Sequence, residues 1–271
     1  MARPPYLPLD ARGWRLAMGL RPLNLDDWLE RDERAAHELA LKEELLSRHY
    51  DEVVATNREG DAASAELLDE IRVATGAVGT GVAGSQSGEH PIVTASRLVQ
   101  EDLCVLVRED LWRLRAACVC FPSRWRLSEK IGTTLDEIHG PVPGYGDSLA
   151  SPTNALFDRM TPDKSYWRLN WTLLDRAELH QPTGARDAPV GELRQWYFRV
   201  ERQTLRQLPA TRAVVFTIRT YVTAASELIE RDGNFAAALV NAIESAPEEV
   251  RAYKGWRGVA DRLRGELARG S

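Results

Sequence analysis

Leu127, Ile131, Leu135 and His139 recur every four residues in the stretch RLSEKIGTTLDEIHGPVPGY (Arg126–Tyr145). On a helix this spacing sets them along one stripe, with Ile138 beside them. The one polar member of an apolar stripe is then an imidazole in the last turn, just before Gly140-Pro141. Two chemistries fit such a residue. It is either a buried metal or haem ligand, or a core histidine satisfied by a backbone carbonyl and favoured by the helix C-terminus. A single histidine carries no ligand-spacing code, so spacing leaves both open. The other histidines are less suggestive: His37, His49 and His180 lie in polar or loop contexts, and His90 follows a Gly-rich stretch.

Composition bounds the classes of function. The chain has 271 residues, 44% hydrophobic and 28% charged, with a formal net charge of −5. Arginines are interspersed with as many acids, so no basic footprint calls for nucleic acid. No apolar run approaches the roughly 18 residues of a membrane span, and MARPPYLPLD lacks the apolar block of a signal peptide; the expectation is a cytoplasmic protein. Three cysteines, Cys104, Cys118 and Cys120, suit a reducing compartment and are too few for a four-thiolate iron–sulfur cluster. Neither a Gly-x-Gly-x-x-Gly after a strand nor a phosphate-binding Walker loop is present. Nicotinamide or flavin electrons would therefore come from another chain.

The elements that must position His139 follow from the pattern. Residues 1–24 are Pro- and Arg-rich and suggest extended chain. Helices are expected from near Asp27 to Asn57, capped by Asn24 or Asp26, and over Ala62–Thr75, followed by a Gly/Ser/Ala loop over Gly76–Gly88. Leu103–Arg108 and Leu111–Phe121 have strand character. In the second, Trp112, Leu114, Ala116, Cys118 and Cys120 alternate and are expected to face one way. A helix then runs to His139, and residues 140–163 are loop-rich around a short helix. Tyr166–Leu174, Gln195–Leu208 and Ala213–Val222 are three more strands, and helices fill Ala224–Arg269, one starting after Ser245-Ala246-Pro247 with proline at its first position.

This order predicts an α+β protein: a five-stranded antiparallel sheet with a helical middle after the second strand, as in a Per-ARNT-Sim (PAS) fold, plus N- and C-terminal helices. The expected units are an arm and helices over 1–97, a PAS-like core over 98–222 and C-terminal helices over 223–271.

Seven blocks carry a family resemblance: RPLNLDDWLERD (Arg21–Asp32), LVQEDLCVL (Leu98–Leu106), CFPSRWRLSEKIG (Cys120–Gly132), IHGPVPGY (Ile138–Tyr145), RLNWTL (Arg168–Leu173), ERQTLRQLP (Glu201–Pro209) and VVFTIRTY (Val214–Tyr221). In this combination and order the chain resembles the haem-dependent oxidative N-demethylase α-subunit family. The resemblance implies a PAS-like domain binding haem b and oxygen-dependent demethylation of a small secondary amine. It also implies electrons from a separate flavin and iron–sulfur reductase.

It also implies roles. His139 becomes the expected iron ligand, with Ile131 and Leu135 as haem contacts. Cysteine ligation is the competitor, but Cys118 and Cys120 lie in a strand without a ligand loop and are expected in the core. Arg124 and Arg126, just before the helix, are candidates for the haem propionates. Oxygen gains negative charge as it is reduced, so a fixed cation or donor beside it is expected, and a cationic amine wants a carboxylate. Arg219 and Tyr221 on the last strand, with Glu201 and Arg202 on the fourth, are the candidates, and Glu101-Asp102 precede the first strand. For each the alternative is a structural salt bridge; a buried Arg219 is expected to pair with an acid such as Glu201 or to serve an anionic ligand. Competing functions are a haem-based gas or redox sensor, a haem oxidase acting on another substrate, and a haem-free binding module.

Overall fold

The computed structural model describes residues 6–9, 12–79, 81–184 and 187–270; the first five residues of the expected extended arm, with Asp10 and Ala11, and Thr80 of the Gly-rich loop lie outside them. In chain order the elements are β1 (Arg21–Leu23), α1 (Ala35–Arg48), α2 (Tyr50–Val53), β2 (Val54–Thr56), α3 (Asp61–Thr75), α4 (Pro91–Ser96), β3 (Asp102–Arg108) and β4 (Trp112–Cys118). Then come α5 (Leu135–His139), α6 (Tyr145–Ser148), α7 (Ala150–Arg159), β5 (Ser165–Leu174), β6 (Tyr197–Gln207), β7 (Val214–Ala224), α8 (Ala225–Arg231), α9 (Phe235–Glu244), α10 (Glu248–Lys254) and α11 (Val259–Gly270). The mixed architecture agrees with the α+β expectation. The sheet, however, has seven strands, antiparallel throughout and ordered β1-β5-β6-β7-β3-β4-β2. The five expected strands form its body, and two three-residue strands, β1 and β2, close its edges. β1 covers only Ser165–Trp167 of β5, so the rest of that strand is an open edge.

Cross-strand register divides the sheet into two faces, because paired residues point the same way. Leu169, Arg202 and Arg219 lie abreast on the first face, as do Trp171, Val200 and Tyr221; Arg168 and Gln203, then Asn170, Glu201 and Thr220, lie on the second. The first face packs at one end on the N-terminal helices through Leu103, Val105, Val215, Leu67, Ile71 and Ile92. At its other end it packs on the C-terminal helices through Phe198, Val200, Leu239, Ile243 and Trp256. The second face meets the helical middle: Cys104, Leu106, Leu205 and Val214 cluster with Leu127, Leu135, Phe157 and Met160.

Several expectations are corrected. Asn24 caps only a 3-10 turn over Leu25–Asp27, helix starts at Ala35 rather than near Asp27, and Val54–Thr56 is a strand paired with β4. β4 does not keep one alternation along its length. Leu106 pairs with Leu114 and Val105 with Ala116, so Arg115 is an unpaired bulge residue. The bulge turns the strand over: Trp112, Leu114, Ala117 and Val119 face the helical middle, while Ala116, Cys118 and Cys120 join the N-terminal cluster. Nor is there one continuous helix from Leu127 to His139. Leu127–Glu129 is a single 3-10 turn, Gly132 adopts φ +79°, open to glycine at no steric cost, and the backbone at Gly132 and Thr133 hydrogen-bonds to Leu114 of β4. The helix restarts at Leu135. Thr134 caps it, its hydroxyl accepting from the Glu137 amide while the Glu137 carboxylate accepts from the Thr134 amide. Only Leu135 and His139 therefore share a helical stripe. Among the C-terminal helices, Pro247 precedes α10 as its cap residue, one position earlier than expected.

Candidate functional site

His139 closes the five-residue α5. Its Nδ1 lies 2.8 Å from the Leu135 carbonyl oxygen, one turn back. A carbonyl only accepts, so Nδ1 carries the proton and, in the neutral ring, Nε2 carries the lone pair. Nε2 has no hydrogen-bond partner among the described residues. Burial holds the imidazole pKa below the ordinary histidine value; the Leu135 bond opposes this, and the charges of Arg168 and Lys130 reinforce it. The ring is thus neutral at pH 7, as a metal ligand requires. Tyr145 stacks on it with centroids 4.9 Å apart and planes 18° from parallel. The Tyr145 hydroxyl donates to Asp136 Oδ1 at 3.0 Å, which ties α6 back to α5.

Around α5 several apolar side chains are only half-buried although they lie against the cluster between helices and sheet: Trp125, Ile131, Ile138, Leu156, Tyr166 and Phe216. The second sheet face contributes a polar group. Glu201 accepts from Asn170 Nδ2 at 3.2 Å and from Gln203 Nε2 at 3.1 Å on one oxygen, and pairs with Arg199 Nε at 3.3 Å on the other. Beside it is Arg168, whose Nε is buried without a hydrogen-bond partner. Burial lowers the Arg168 pKa below the usual guanidinium range, with Glu201 opposing. Among the described residues no group of three or more His, Cys, Asp or Glu side chains is arranged to hold a metal ion. One imidazole beside half-buried apolar side chains is the donor set of a group that asks one ligand of the protein and rests on apolar walls, as haem does. A neutral imidazole with a free lone pair fits that demand.

The expected site residues separate. His139, Leu135, Ile131 and Glu201 belong to the side of the sheet that carries the helical middle. Arg219, Arg202 and Tyr221 lie on the opposite face. Arg219 is fully buried and pairs with Asp32 at 2.8 Å and Glu38 at 2.7 Å, while its NH1 donates to the Thr220 carbonyl at 2.8 Å. Its acid partners are these two and not Glu201. Gln100 Nε2 donates to Glu38 at 2.7 Å and to Asp32 at 2.9 Å. The Tyr221 hydroxyl donates to Glu30 at 2.5 Å, Tyr6 donates to the same carboxylate, and Arg202 approaches it at 3.3 Å. Arg202 also donates to the backbone carbonyls of Asp27 and Trp28. This cluster binds residues 27–38 to the sheet.

The remaining candidates make other contacts. Arg124 has φ 60° and donates its amide to the Gln181 carbonyl. Arg126 is exposed and its charge acts on Glu52. The cations acting on His139 are instead Arg168 and Lys130, neither anticipated. Glu101 accepts from the Glu30 amide at 2.8 Å, and Asp102 accepts from the amides of Cys120 and Phe121 at 2.8 and 2.9 Å. All three cysteines are free and buried, as expected of Cys118 and Cys120. His180 Nδ1 lies 2.8 Å from the Cys120 carbonyl oxygen, and the His90 ring caps α4. The signal for Arg168 was present in RLNWTL: Arg168, Asn170 and Thr172 alternate with Trp167, Leu169, Trp171 and Leu173, giving β5 one polar face.

No described helix is long and apolar enough to cross a membrane. Residues 71–264 match the family described as haem-dependent oxidative N-demethylase, alpha subunit-like. The match spans β3 to β7, the whole helical middle with His139, and most of the C-terminal helices. With well over half its length matched, the chain belongs to the haem-dependent oxidative N-demethylase, alpha subunit-like family.

Proposed function

We propose that this chain is the haem b-binding, oxygen-using subunit of an enzyme that demethylates a small secondary amine, with electrons supplied by a separate flavin and iron–sulfur reductase. The observation that carries this is neutral His139, its Nε2 lone pair unengaged, within the family match. The five long antiparallel strands with α5–α7 after the second support a PAS-like core, with haem held between the helical middle and the sheet. His139 would ligate it, and Ile131, Leu135 and Ile138 would line it.

When bound, haem supplies the oxygen reduction that side chains cannot perform. The net reaction takes the amine, O2, two electrons and two protons to the demethylated amine, formaldehyde and water. The chain's own residues do the positioning. The Leu135 carbonyl fixes the His139 tautomer and ring orientation. Glu201 offers the cationic amine a carboxylate on the His139 side of the sheet, oriented by Asn170 and Gln203. Arg219, Arg202 and Tyr221 act in this scheme by anchoring residues 27–38, not by touching substrate.

Turnover by the purified chain tests the proposal. Haem-loaded protein given a reductase or chemical reductant should consume O2 and release formaldehyde in equal amounts with a secondary methylamine. With nicotinamide nucleotide alone it should do neither. No formaldehyde from any of a panel of N-methylamines under reducing conditions would overturn the assignment, as would sustained nicotinamide-driven turnover without a reductase.

A further inference from the structure

Residues 6–9 and 13–21, the open edge of β5 and the C-terminal helices line a pocket of about 640 Å³. Its described lining includes four cations, Arg15, Arg21, Arg168 and Lys254, and no carboxylate. Two of the cations are visibly engaged. Lys254 Nζ donates to Asn170 Oδ1 at 2.8 Å and to the Trp171 carbonyl at 2.9 Å, and Arg21 sits over the Trp167 ring at 5.3 Å. Arg168 differs. Its Nε is buried and unpartnered, and among the described residues its guanidinium makes neither a hydrogen bond nor an ion pair. The nearby acid on its own sheet face, Glu201, bonds Arg199, Asn170 and Gln203 and not Arg168.

A guanidinium keeps its charge at any physiological pH and presents its donors as a planar fork matched to a carboxylate. A guanidinium nitrogen left without a partner away from water, as the Arg168 Nε is, costs stability. A cation-lined pocket with no acid among its described walls supplies the complementary field for an anion. Arg168 also stands close enough to His139 for its charge to act on the imidazole.

We propose that Arg168 is the anchor for a carboxylate at this pocket. The proposal rests on the haem assignment for its two sources of that carboxylate: a haem propionate, or an acid group carried by the amine substrate. Arg168→Leu, with Arg168→Lys as the variant that keeps charge but loses the fork, tests it on the holoprotein. If the propionate is the source, wild type releases haem dimethyl ester roughly ten- to a hundredfold faster than haem, the range of a charged hydrogen bond, and Arg168→Leu releases both alike. If the substrate is the source, haem and ester behave alike, but N-methylglycine perturbs the haem spectrum of Arg168→Leu only at roughly tenfold higher concentration or more, while dimethylamine acts equally on both proteins. Arg168→Lys falls between wild type and Arg168→Leu in whichever arm responds. Arg168→Leu indistinguishable from wild type in both arms overturns the proposal. A wild-type protein that takes up no haem defeats the functional assignment instead. Propionate titrated against the Arg168 Nε–H resonance then decides this one: a saturable shift upholds it, and no shift ends it.

Discussion

Arg219 and Arg202, buried on one face of the sheet, and Arg168, half-buried on the other, stand in opposite conditions. On the first, Arg219 meets Asp32 and Glu38, and Arg202 meets Glu30 and two backbone carbonyls. On the second, the Nε of Arg168 is orphaned as those of Arg219 and Arg202 are, but among the described residues its guanidinium has no acid or carbonyl partner at all, and half-buried apolar side chains and a histidine with a free lone pair lie on the same side of the sheet. Charge and burial alone do not separate a structural arginine from a binding one; the partners do. Where the chain supplies acids from residues 30–38, the charge serves stability. Where it supplies none, the charge is available to a ligand.

The sharpest way to break this contrast is Arg219→Leu. It strands the Glu38 and Asp32 carboxylates in or near the interior, and stability should fall by about 3–5 kcal/mol, read by chemical denaturation, with haem uptake per folded molecule unchanged. A loss below about 1 kcal/mol, the worth of a surface ion pair, would erase the distinction between the faces.

Thr134→Ala should cost about 1 kcal/mol by removing the cap of α5. Because α5 is only five residues long and ends on His139, the same change should also speed haem release. Unaltered haem release would mean that the β4 pairing at Gly132 and Thr133 suffices to hold the ring.

The pH dependence sharpens the comparison from the histidine side. The folded state holds the His139 pKa below its unfolded value, so the unfolded chain binds the extra proton first. Its contribution to stability is present above about pH 6.5, the ordinary histidine pKa, and is lost as pH falls through the lower folded value. The difference in stability between wild type and His139→Phe should therefore shrink on acidification. A pH-independent difference would show that the ring is not held neutral.

Arg168→Leu is the counterpart of Arg219→Leu and should have the smallest effect. With no partner to strand, stability should change by less than about 0.5 kcal/mol or rise. A loss approaching that of Arg219→Leu would place Arg168 among the structural arginines.

Much of this architecture was legible in the chain. Alternation and β-branched content located the five long strands to within a few residues, since each carries its own pattern. β1 and β2, three residues each, carry none and exist only because a neighbour pairs with them. The apolar spacing around Leu127–His139 suggested one helix because periodicity ignores what Gly132 and Thr133 bond to, and β4 claims their backbone. The bulge at Arg115 escaped notice for the same reason, as the alternation of small residues continues through it. Strand alternation set Arg219 and Tyr221 on a common face. Which face would receive Glu30, Asp32 and Glu38 depends on contacts across nearly the whole chain. His139 stood out because an isolated polar residue among apolar ones is a local signal.

The most direct measurement is the absorption spectrum of the purified wild type and of His139→Ala, oxidised, reduced, and reduced under carbon monoxide. Wild type should carry haem b with an imidazole-type reduced carbon monoxide band, and His139→Ala should lose the haem or bind it weakly with a changed band. A variant with wild-type haem content and an unchanged band, or a wild-type band of thiolate type, would contradict ligation by His139.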